Sequence, residues 1–132
     1  MSLSTYAYLL AAIELLAGVS FLVSPAKTAE WFLRFKDDQT TVRLVGASFF
    51  VISFLALTRG IAISVDVAGL IRLVVWIGAV KSLFICWFPD RYADQVEWIF
   101  TRPWLVRPFS LVALVAGALF LLAGNYLQGL GV

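Results

Sequence analysis

The chain has no histidine and one cysteine, Cys86, in 132 residues. Without histidine it lacks the commonest metal and haem ligand and the commonest side chain that titrates near neutral pH. A single cysteine rules out an internal disulfide and a thiol cluster for a metal. Cys86 stands in the apolar run FICWF, where a free cysteine acts as a small hydrophobe. No metal, no cofactor and no catalytic residue is therefore expected. Charge is also scarce. Asp, Glu, Lys and Arg make up 14% of the chain and the net charge is +2. There is no basic run and no nucleic-acid-binding motif, so no nucleic-acid partner is expected.

Apolar residues fill the gap. They are 62% of the chain, and the mean hydropathy is +0.96. A soluble domain sits nearer one half. The bilayer is the expected solvent, and residues 1–132 read as a single membrane domain. Four apolar segments approach the ~20 residues needed to cross the hydrocarbon core: about Tyr6 to Ser24, Thr41 to Leu57, Val67 to Phe88 and Trp104 to Leu127. None alternates in polarity as barrel strands do. Lipid offers no partner to loose backbone groups, so these segments should be helices. The stretch before Glu14 has no Lys or Arg, and Glu14 interrupts the apolar run. A cleaved leader is therefore not expected.

The first and third connections follow prolines. After Pro25, residues Ala29, Phe32, Leu33 and Phe35 share a helical arc opposite Lys27, Glu30 and Arg34. After Pro89, residues Tyr92, Val96, Ile99 and Phe100 share one opposite Arg91, Asp94 and Glu97. Both segments, near residues 26–36 and 90–101, read as short amphipathic helices in the interface plane. Trp31, Tyr92, Trp98 and Trp104 are the expected interfacial anchors.

The two halves match at an offset of 64 residues: Pro25 with Pro89, Lys27 with Arg91, Glu30 with Asp94 and Arg43 with Arg107. Repeat units near residues 1–60 and 65–128 follow, each a two-span hairpin carrying one interfacial helix. An even number of spans per unit makes this a parallel repeat, not an inverted one. Seven of the ten basic residues lie on the side of the interfacial helices. The positive-inside rule puts that side in the cytoplasm and both termini outside.

Glu14, Arg43, Lys81 and Arg107 are the span charges that lie on small-residue stripes. Each shares a helical stripe with small residues. Glu14 lies with Ala11 and Gly18, Arg43 with Gly46, Lys81 with Gly78, and Arg107 with Gly117. Small residues let helices approach closely, so these stripes are the expected packing faces. At about 1.5 Å per residue, Glu14 and Lys81 lie within about one turn of the same depth. The expectation is a cluster in which Glu14 meets Lys81, Arg43 or both. Such a cluster is either a structural clamp or a proton- or anion-handling site, because intramembrane ionisable groups are often functional.

The segments IELLAGVSFLVSPAKTAEWF and VRLVGASFFVISFLAL resemble the YjeT-like family of small bacterial inner-membrane proteins. Glu14, Pro25, Trp31, Arg43 and Gly46 fit the pattern of that two-span hairpin, whereas its glycine after the acid stands here at Gly18. The second half keeps Pro89, Trp98 and Arg107. The resemblance implies a bacterial inner-membrane location and no established activity. Members lie beside genes for scaffold proteins of the prohibitin–stomatin type, which implies a protein partner. The expected function is a non-enzymatic membrane subunit that packs against other integral membrane subunits. The alternative is a small carrier that uses the Glu14 cluster.

Overall fold

The computed structural model describes residues 1–131. They form six helices: α1 Leu3–Val23, α2 Pro25–Phe35, α3 Gln39–Leu57, α4 Val67–Trp87, α5 Pro89–Phe100 and α6 Pro103–Gly129. Among the described residues there is no strand. Four helices (α1, α3, α4 and α6) are long and apolar enough to cross a membrane. The fold is all-α, with four membrane-length helices and two short amphipathic ones.

Proline sets the elbows. A residue before proline is pushed out of the α region, and proline is tolerated at the first helical position because that N–H has no partner anyway. Ser24 (φ −138°, ψ 69°) therefore ends α1, and Pro25 opens α2. Phe88 (φ −125°, ψ 61°) ends α4 in nearly the same conformation, and Pro89 opens α5. All three helices of the first half start 64 residues before their counterparts: Leu3 and Val67, Pro25 and Pro89, Gln39 and Pro103.

Side-chain caps fix other starts. Ser2 accepts a bond from the Thr5 amide at 3.2 Å, and Asp66 accepts one from the Gly69 amide at 3.1 Å. Asp38 caps α3 through the Thr41 amide and hydroxyl, at 3.2 and 2.7 Å. Hydrogen bonds to the charged form favour it. Those from Thr41 hold the Asp38 carboxyl below the ordinary aspartate range, and those from Ser64 and Gly69 do the same for Asp66.

Packing does not follow chain order. The main partner of α1 is α6, and the main partner of α3 is α4. Within each tandem hairpin the two spans barely touch. In the chain, α2 stands between α1 and α3, and α5 between α4 and α6. Exchanging α1 with α4 and α3 with α6 converts one main pairing into the other.

The core is split between the two ends. Leu3, Tyr6, Ala56, Ile71, Val75 and Leu127 form one cluster. Phe21, Ala29, Val96, Phe100 and Val106 form the other, with Phe32, Leu33, Tyr92 and Ile99 against it. The second cluster shows what the apolar arcs of α2 and α5 rest on: they pack on each other and on the ends of α1 and α6, so the two short helices cap the bundle. The physical reason is aromatic content: Phe21 stacks on Phe32 and Phe100 with ring centroids 5.5 and 5.1 Å apart. Lys36, its side chain largely covered, adds a contact across the cap to the exposed Glu97 at 3.7 Å. Gln39 donates to Asp90 at 2.5 Å. The outer faces carry bare apolar side chains, among them Leu16, Val80, Val112 and Leu122. So large an apolar surface suits hydrocarbon as solvent, not water.

Candidate functional site

The small residues named from the sequence lie at helix contacts. Ala11 and Gly18 are buried on α1, and Gly46 and Gly117 are buried on α3 and α6. A Cβ placed on Gly18 would lie 2.8 Å from Leu114 Cγ, and one on Gly117 would lie 2.7 Å from Leu15 Cγ. Both contacts join α1 to α6. A Cβ on Gly46 would lie 3.0 Å from the Ser82 carbonyl oxygen and 3.1 Å from the Cys86 amide, joining α3 to α4. At Gly78 it would come 2.7 Å from the Tyr6 hydroxyl. That hydroxyl lies 3.3 Å from Ser53 Oγ in a buried hydrogen bond. Gly78 thus leaves the space in which α1, α3 and α4 share their polar contact. Overpacking of this kind typically costs about 1–3 kcal/mol. Gly18→Val and Gly117→Val are each expected to destabilise by about that amount in denaturant titrations of the micelle-bound protein. Gly129→Ala, where nothing lies within 4 Å, should change stability by under about 0.5 kcal/mol.

The charges sit differently from the glycines. Glu14 is half-buried on α1, whereas Arg43, Lys81 and Arg107 are exposed. Stripe-mates thus part company: the small residues enter the contacts, and the long cationic side chains stay outside. The reason is distance. Contacts that close to about 3 Å around a missing Cβ have no room for a guanidinium or an ammonium.

Among the described residues, ion pairs within 4.0 Å are confined to Arg34–Glu30, Lys36–Asp37 and Lys36–Glu97. Glu14 therefore touches neither Lys81 nor Arg43. Burial acts most strongly on Glu14, and the charge of Lys81 acts on it through space to a lesser degree. The expected cluster is therefore not closed by contact: among the described residues none of Lys81, Arg43 and Arg107 lies within 4.0 Å of Glu14. No group of His, Cys, Asp or Glu among the described residues could hold a metal ion.

The anchors divide as well. Trp31, Trp98 and Trp104 are exposed, where an interfacial belt needs them. Tyr92 instead packs half-buried on the Phe21 cluster, and burial pushes its hydroxyl above the ordinary tyrosine range. Sequence reading missed two polar tethers. One is the Tyr6–Ser53 bond. The other joins the start of α1 to the end of α6, where the Tyr8 hydroxyl meets Asn125 and donates to Gln128 at 2.9 Å. The available signal was the oddity of Asn125 and Gln128 in an apolar helix.

No family model, curated protein or solved structure matches the chain.

Proposed function

We propose that the protein is a non-catalytic integral membrane subunit that packs against a larger membrane complex. One observation carries the reading. Lys81 lies two-thirds of the way along α4, exposed, with no carboxylate within 4.0 Å among the described residues. A lysine at the bilayer centre costs about 2.5–3.5 kcal/mol on insertion scales, less where its ammonium reaches toward the interface. A carboxylate or carbonyl on a neighbouring subunit would offset that cost. The apolar outer faces and the small extramembrane mass support the same reading. So does the resemblance to the YjeT-like family, which also suggests the bacterial inner membrane. The excess of basic residues beside α2 and α5 suggests a cytoplasmic cap and outward termini. The matched helix starts support two tandem units derived from one.

Extraction in mild detergent followed by mass spectrometry of the intact assembly tests this. A stoichiometric second protein, retained less well with Lys81→Met, is the expected result. Recovery of the chain alone from native membranes, unchanged by Lys81→Met, would refute it. The competing reading is a proton or anion carrier, which draws on the half-buried Glu14 within reach of Lys81's charge. Ion flux into liposomes that depends on Glu14 would favour it.

A further inference from the structure

We infer that Arg107 and the two clefts flanking it bind the headgroup phosphate of an anionic phospholipid. The clefts have volumes of about 310 and 300 Å³, at the lower end for ligand pockets. Both include Pro25 and Arg107, so they meet at the elbow where α1 gives way to α2. One runs between Phe21 and Leu22 of α1 and Leu111 of α6. The other runs under α2 toward Phe100. The walls are apolar, and neither cleft has a carboxylate among its described lining residues.

Arg107 is the charge at this junction. It is exposed, and no carboxylate among the described residues lies within 4.0 Å of it. Ser110, whose hydroxyl donates to the Arg107 carbonyl at 3.1 Å, ties the backbone beneath it. The depth suits a headgroup. Arg107 follows the start of α6 by about 6 Å, one turn beyond the exposed Trp104. A guanidinium presents its N–H donors in a fork that matches phosphate oxygens. Basic pockets between membrane helices hold anionic lipid headgroups in this way. A free phosphate would use the fork but not the greasy clefts. A zwitterionic lipid would use the clefts, but its own cation would compete for the phosphate. An anionic lipid uses both.

The test uses the full chain in nanodiscs of equal phosphatidylcholine and phosphatidylglycerol, with the lipids retained after release read by native mass spectrometry. Wild type should keep phosphatidylglycerol in preference to phosphatidylcholine. Arg107→Gln should reduce that retention about tenfold, the loss expected for one charge-assisted hydrogen bond. Arg107→Lys should retain an intermediate amount. Leu111→Trp keeps the charge but fills the cleft, and it should also lose the lipid. It carries the test if Arg107→Gln fails to fold. Equal retention of the two lipids by wild type, or full retention by both variants, would overturn the proposal. Displacement of the lipid by millimolar inorganic phosphate would overturn it too, in favour of a free-anion site.

Discussion

Phe21→Ala is expected to cost about 3–5 kcal/mol, the range for truncating a buried aromatic side chain. Phe21 is 2% exposed. Its ring stacks on Phe32 and Phe100 and meets Phe109 edge-on, with centroids 5.4 Å apart in the last case. It thereby joins α1 to α2, α5 and α6 at one point. Aromatic pairs add about 0.5–1.5 kcal/mol beyond the area they bury, so Phe21→Leu should recover only part of the loss. Phe54, 58% exposed on α3, is the control, and Phe54→Ala should change stability by under about 0.5 kcal/mol. Denaturant titration in one micelle system compares all three. If Phe21→Ala is no worse than Phe54→Ala, the amphipathic cap does not hold the bundle together.

Glu14→Ala should destabilise by about 2 kcal/mol. The figure lies below the 3–5 kcal/mol typical of breaking a buried contact pair, because Glu14 and Lys81 interact without touching and Lys81 can extend toward the interface. Glu14→Ala removes the carboxylate on which the Lys81 charge acts through space. Adding Lys81→Met should therefore recover at least half of the loss, since neither charge is then orphaned. A double variant no better than Glu14→Ala alone would mean that the two are not coupled. If Glu14→Ala leaves folding and assembly intact but abolishes a measurable ion flux, the carrier reading replaces the subunit reading.

Hydropathy was enough to locate the four membrane-length helices, because lipid forces any long apolar segment to satisfy its backbone internally. Pro25 and Pro89 located both elbows, because proline acts on its immediate neighbour whatever the rest of the chain does. The apolar arcs of α2 and α5 were legible for the same local reason. Partner choice was not. In hydrocarbon every apolar helix face is equally solvated, so a stripe of small residues marks where helices approach without saying which helix approaches. Only the tertiary structure pairs α1 with α6 and α3 with α4. It also turns the arcs of α2 and α5 inward around Phe21 and joins Tyr6 to Ser53 across 47 positions of sequence. The placement of the charges was settled at the same level. Helical periodicity puts Arg43 and Lys81 on the stripes of Gly46 and Gly78, but it carries no information on how tightly those stripes close. The contacts at Gly46 close to about 3 Å, which keeps the long Arg43 side chain outside them.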